Sequence, residues 1–145
     1  MKSFRRNQPF YKDAYEKART EEIVLLPYLQ RHFNDPDLIN TPSRFAKFDY
    51  ISEARFIELK SRNCPKGKFP DMMINKNKVD EARMKYQQRD YIFVFRFSDE
   101  SVWYWKFDPS VELDVRVGGR MDRGYDERQY YYFIPTSLLE NLPLS

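Results

Sequence analysis

What the chain lacks narrows its chemistry first. Cys64 is the only cysteine, which excludes a disulfide framework and a cysteine zinc site. It stands in "NCPKG" with no evident base beside it, so it makes a poor nucleophile. No apolar run approaches the ~20 residues that span a bilayer, and the opening "MKSFRRNQPFYKDAYEKA" has no apolar signal-peptide core. A soluble, intracellular protein without a membrane partner is expected. There is no internal repeat and no low-complexity segment. The 145 residues suit one domain with a real core and are short for two. Excess charge is small as well: a net +3 and a pI near 8.9 permit nucleic acid as a partner without demanding it.

What is present reads as globular. Hydrophobic residues make up 41% and charged residues 32%, unlike the composition of a disordered chain. Aromatics stand out at 17%, with eleven Tyr and twelve Phe. At strand spacing most belong in a core, and some can serve as stacking surface. Residues 11–33 read as a helix with Ala14, Ala18, Leu25 and Leu29 along one stripe, and Pro27 predicts a bend or a late start. A proline-containing loop, "NDPDLINTPSR", leads to two strands, "FAKFDYI" and "ARFIELK". A basic connection with a short strand at Met72 to Ile74 follows, then a polar helix, "NKVDEARMKYQQR". "DYIFVFRF" and "VWYWKF" form a hairpin around "SDES". "VELDVRV" alternates as a half-exposed strand up to Gly118, "RQYYYFIP" is the last strand, and "TSLLENL" is a short capped helix. This order predicts an α/β (α+β) fold in a single domain, residues 1–145.

Charge inside the first strand pair needs a reason. Side chains alternate along a strand, so Glu58 and Lys60 share a face with Phe56, while Ile57 and Leu59 share the other. A two-residue turn at Ser52 and Glu53 puts Asp49 diagonal to Glu58, and a four-residue loop puts it directly opposite. Both place Asp49, Glu58 and Lys60 on one face, with ~4.5–8 Å between the two acids at the backbone. Glu-x-Lys on a strand usually marks a solvated face with a weak ion pair. Two acids this close, however, repel unless a divalent cation sits between them. Hard oxygen ligands suit Mg²⁺ or Mn²⁺, which polarises a phosphodiester and activates water, with Lys60 placed to assist. On the preceding helix, Glu22 has Leu25, Leu26 and Leu29 at helical spacing and borders the buried stripe. It is favoured over Glu21 as a third carboxylate.

An Asp on one strand followed by Glu58-Leu59-Lys60 on the next resembles the PD-(D/E)XK nuclease superfamily, in its small viral and phage-type members. The resemblance runs over roughly residues 15 to 97. Phe48 stands where the name-giving proline would be. The resemblance implies a restriction-endonuclease-like core, a mixed central β-sheet flanked by helices, and a Mg²⁺- or Mn²⁺-dependent endonuclease. It implies Asp49, Glu58, Lys60 and Glu22 as catalytic residues and Asp49, Glu58, Glu22 and Leu59 as the metal set. DNA is the expected substrate ahead of RNA. Arg62, Lys66, Lys68, Lys76 and Lys78 of the basic connection and the following helix are the expected phosphate contacts. Two other readings stand beside this one. The fold could be catalytically inactive and bind nucleic acid or protein, with "VWYWKF" and "RQYYYF" as its surface. Alternatively, His32 could join the metal ligands of an RNA-directed nuclease. The sequence leaves the oligomeric state open, a homodimer included.

Overall fold

The computed structural model describes residues 9–41, 47–118 and 129–144, with side chains from Tyr15 onward. Helix α1 (Pro9–His32) begins on a proline, whose missing N–H costs nothing at a first helical position. No late start follows from Pro27: the helix begins well before it and runs past it. Pro27 deprives the Ile23 carbonyl of its helical donor, and Ile23 is exposed, so water can serve that carbonyl. The buried stripe is shorter than the sequence suggests. Leu25 and Leu29 are buried, Ala18 is exposed, and the Ala14 side chain lies outside the described residues.

After α1 the described elements are β1 (Ile39–Asn40), β2 (Tyr50–Ile51), β3 (Arg55–Ser61), β4 (Asp71–Asn75), α2 (Lys76–Lys85), β5 (Asp90–Arg96), β6 (Val102–Lys106), β7 (Asp114–Gly118), β8 (Gln129–Pro135) and β9 (Glu140–Asn141). Six strands form one sheet in the order β1-β2-β3-β5-β6-β9, and three form a second in the order β4-β8-β7. Only β3 and β5 pair in parallel; the other pairings are antiparallel. A parallel pair needs a crossover, and β4 with α2 supplies it. The result is mixed α/β with helices on the two faces of the main sheet.

The sheet sorts the apolar residues into two layers. On one face Leu25 and Leu29 of α1 pack on Tyr50, Ile57, Ile92, Val94 and Leu142. On the other, Phe93, Phe95 and Trp105 meet Val79 and Ala82 of α2 and Met72, Ile74 and Ile134 of the small sheet. Strand β5 lies between the layers, so Tyr91 through Phe95 are all buried, which explains its unbroken apolar run.

Three elements differ from the sequence expectation. Of "FAKFDYI" only Tyr50–Ile51 is strand, and residues 42–46 lie outside the described part. Strand β7 starts at Asp114, and Asp114 to Val117 are exposed on both faces of a sheet edge, so it is not half-buried. "TSLLENL" is not a helix: a single 3₁₀ turn at Thr136–Leu138, without a side-chain cap, leads into β9. Leu139 and Leu142 are both buried, but in opposite layers of the sheet, as strand alternation requires. Among the described residues no helix is long and apolar enough to cross a membrane.

Candidate active site

The register of β2 on β3 pairs Tyr50 with Ile57 and Ile51 with Phe56. Ser52 to Arg55 therefore make the four-residue connection, and the same register carried one step back sets Asp49 opposite Glu58. A buried cluster holds this turn. Asp35, just beyond α1, pairs with Arg55 and accepts a 2.6 Å hydrogen bond from Ser52 Oγ. Ser52 Oγ in turn accepts from the Ala54 and Arg55 amides, both at 3.2 Å.

Strand β2 stops at the point where its carboxylate becomes useful. In an antiparallel ladder, hydrogen-bonded pairs recur at every second residue and exchange both N–H and C=O. Ser52 N donates to Arg55 O at 2.9 Å, so the 50–57 pair is of this kind and a 48–59 pair would follow. Instead the Phe48 carbonyl accepts Thr41 Oγ1 at 2.8 Å and the chain bends away. The Leu59 amide donates to Asp49 Oδ2 at 2.8 Å. That bond pins the Asp49 carboxylate to the edge of β3, and the same alternation turns the Leu59 carbonyl toward that edge.

Glu58 projects from the same face as Phe56, with Ile57 buried on the other face and Leu59 half-buried there. Its side chain is 8% exposed, with Lys60 Nζ 3.3 Å from Oε2 and Lys78 Nζ 3.9 Å from Oε1. Burial raises its pKa above the ordinary value and the Asp49 charge adds to this, while the two lysines oppose it. Glu22 approaches Asp49 from α1. Its Oε1 accepts 2.9 Å from Asn40 Nδ2 and lies 3.6 Å from Arg19. Burial again raises its pKa, and neighbouring Asp49 contributes in the same direction against the Asn40 bond. Glu21 lines the same cleft farther along β3, accepting Ser61 Oγ at 2.7 Å. The Tyr50 hydroxyl donates to the Glu22 carbonyl at 2.6 Å and so ties α1 to the strand that carries Asp49.

Asp49 thus has Glu22 and Glu58 as carboxylate neighbours. The three form a chain and not a ready-made cage: among the described residues no group of three or more His, Cys, Asp or Glu side chains is arranged to hold a metal ion. The donor chemistry nonetheless fits a hard divalent cation. Asp49 and Glu58 repel each other at a largely dry edge, and the Leu59 carbonyl adds a neutral oxygen. An open cleft of about 280 Å³ lies between α1 and the end of β3, lined by Glu21, Glu22, Leu59 and Lys60 among others; Asp49 and Glu58 stand beside it and do not line it. A second cleft of similar volume lies beyond Phe48, with an aromatic floor of Phe48, Phe56 and Tyr91. Its one lining carboxylate, Glu81, is paired with Lys47 at 2.8 Å.

The expected phosphate contacts divide. The Arg62 guanidinium turns inward, donating to the Met73 carbonyl at 2.6 Å and lying over Phe95, and burial lowers its pKa. It is half-buried and lines the cleft beside Lys60, with its guanidinium engaged by that carbonyl. Lys66 lies 4.0 Å from the Trp103 ring centre, and Lys76 pairs with Asp80 at 2.8 Å. Lys68 is exposed. Lys78 comes into the acid site itself. His32 does not: its ring bonds Tyr104 of β6 at 3.1 Å, and ten helical residues, ~15 Å of rise, separate it from Glu22. That removes the observation behind an RNA-directed site with a histidine ligand. The aromatic half divides: Trp103, Tyr104, Tyr131, Tyr132 and Phe133 are half-buried. Trp105 and Phe107 are buried, and Tyr130 is its most exposed aromatic side chain among those described. Asn40, Thr41 and Asp35 escaped the sequence reading, since polar residues in a proline-rich loop carry no signal of the partners they meet.

A mixed sheet with an Asp at the edge of one strand, Glu-x-Lys on its neighbour and a helix carboxylate beside that Asp has the core of a restriction-endonuclease-like nuclease. The chain belongs to the family described as "Phage putative PDDEXK endonuclease", whose family model matches residues 44–142. No curated protein and no solved structure matches it significantly.

Proposed function

We propose that the chain, residues 1–145 as one nuclease domain, is a divalent-metal-dependent DNA endonuclease. The observation that carries this reading is the edge of β3, where Asp49 is pinned by the Leu59 amide beside buried Glu58, with Lys60 Nζ 3.3 Å from Glu58. Asp49, Glu58 and the Leu59 carbonyl would hold Mg²⁺ or Mn²⁺, which when bound supplies Lewis acidity to the phosphate and lowers the pKa of a water. The rest falls to the chain's own groups. Lys60 orients the attacking water and balances the charge that grows on the phosphoryl oxygens. The water oxygen bonds to phosphorus, the bond from phosphorus to the leaving sugar oxygen breaks, and that oxygen takes up a proton. Glu22, held by Asn40, borders the cleft and keeps the local field negative around a cation. Lys17 and exposed Lys68 supply phosphate contacts without base information.

The test is a nicking assay on supercoiled and linear DNA and on RNA, with Mg²⁺ or Mn²⁺. Asp49→Ala and Glu58→Ala should abolish cleavage. Lys60→Met should lower it by about 10²–10⁴-fold while the fold is kept. Wild-type protein that binds nucleic acid but cuts none of these substrates with either ion would leave the non-catalytic binding module in its place.

A further inference from the structure

Lys78 has a position that needs explanation. It lies in the first turn of α2, where the helix macrodipole is positive and a cation is disfavoured. That turn holds Lys76 and Lys78 and no acid, and Asn75 makes no side-chain cap. Lys76 is relieved by Asp80 one turn on, at 2.8 Å. Lys78 has a different arrangement: its side chain is 17% exposed, with Nζ 3.9 Å from Glu58 Oε1 and 4.7 Å from the centre of the Phe48 ring. Lys60 faces the other oxygen of the same carboxylate at 3.3 Å. One buried glutamate therefore stands between two ammonium groups, one from its own strand and one from a helix of the opposite layer.

We infer that Lys78 is the resident counter-ion of Glu58, a positioning residue that holds the carboxylate when no divalent ion is bound and competes with the ion for it. This rests on the metal-site reading above. A divalent cation arriving at Asp49 and Glu58 meets the Lys78 charge and the positive end of α2, and both oppose it. Ion binding to the free protein is therefore weak. It strengthens when the negative phosphates of a substrate offset those charges, and by linkage the ion strengthens substrate binding equally. Lys60, at 3.3 Å, is the nearer of the two counter-ions, and Lys78, at 3.9 Å, is the one that the proposed reaction leaves without another role.

The experiment is calorimetric titration of Mn²⁺ into wild type, Lys78→Met, Lys78→Arg and Asp49→Asn in the absence of nucleic acid, with thermal melts of each. Methionine keeps the stem that packs over Phe48 and removes the charge. The expected result is Mn²⁺ binding on the order of tenfold tighter in Lys78→Met, as removal of a charge a few ångströms away implies, and close to wild type in Lys78→Arg. A purely structural Lys78 predicts the opposite sign, because loosening Glu58 weakens the ion. Unchanged or weaker Mn²⁺ binding in folded Lys78→Met overturns the inference and leaves the metal site standing. Wild type and Lys78→Met that both bind no Mn²⁺, or Asp49→Asn that binds it as well as wild type, overturn both.

Discussion

Glu58 is held at a protonation cost that the rest of the site explains. Its burial and the Asp49 charge raise its pKa, and Lys60 and Lys78 offset this only in part. Glu22, raised mainly by burial, contributes in the same direction. An acid with a raised folded pKa holds its proton more tightly in the folded chain than in the unfolded one. Its contribution to stability therefore falls as pH rises from the ordinary glutamate value of 4.5 through the raised one, and stays low above it. In a chelator, Glu58→Gln should melt above wild type at neutral pH, and the gap should close as pH falls through that window. Thermal melts across pH on the two proteins check this. A Gln variant that melts lower at neutral pH would mean that the lysine contacts outweigh the burial. At this scale Asp49, Glu58 and Lys60 were legible because side-chain alternation puts them on one face in either hairpin register. Lys78 was less so, since the sequence does not fix the rotation of α2. The inward turn of Arg62 was not legible, because a basic residue after a strand gives no sign that its guanidinium will find a main-chain carbonyl inside.

Among the elements, the β2–β3 connection sets the geometry on which the site depends. The Asp35 cluster with Ser52 and Arg55 locks the four-residue turn that brings Asp49 opposite Glu58. The side chains of Asp35 and Arg55 are only 9% and 13% exposed, so removing Asp35 leaves the buried guanidinium with only the more distant Asp90 carboxylate at 3.9 Å. Asp35→Ala should cost on the order of 3–5 kcal/mol, with Asp35→Asn milder because it keeps an acceptor for Ser52. Denaturant unfolding measures the loss, and DNA cleavage should fall along with it at temperatures where the variant remains folded. Full activity in a folded Asp35→Ala would show that the turn does not govern the acid pair. Strands β3, β5 and β6 were readable from apolar and aromatic runs. The terminal β9 was not. Two leucines three residues apart fit one face of a helix or two faces of a strand, and the choice is made by the bond from Leu142 N to Val102 O at 2.8 Å, a partner remote in sequence.

For the molecule as a whole, the order helix, two strands, crossover, strand fixes which layer each acid comes from. Helix α1 brings Glu22 to one side of the sheet edge, β2 and β3 bring Asp49 and Glu58, and α2 brings Lys78 from the other layer. A mixed sheet flanked by helices was expected from the family resemblance alone; the parallel β3–β5 pairing, which requires the crossover between them, has no local signal. The second sheet was not legible, because β4 pairs with β8, some sixty residues away, and no local pattern signals that partner. On the proposed reading, this edge takes a divalent ion between the two acids. The most direct measurement is anomalous diffraction at the manganese edge from crystals of the protein soaked in Mn²⁺. The expected result is a peak about 2.1 Å from one oxygen each of Asp49 and Glu58, with the Leu59 carbonyl in the same coordination shell. A site empty at saturating Mn²⁺, or an ion bound only away from Asp49 and Glu58, would contradict it.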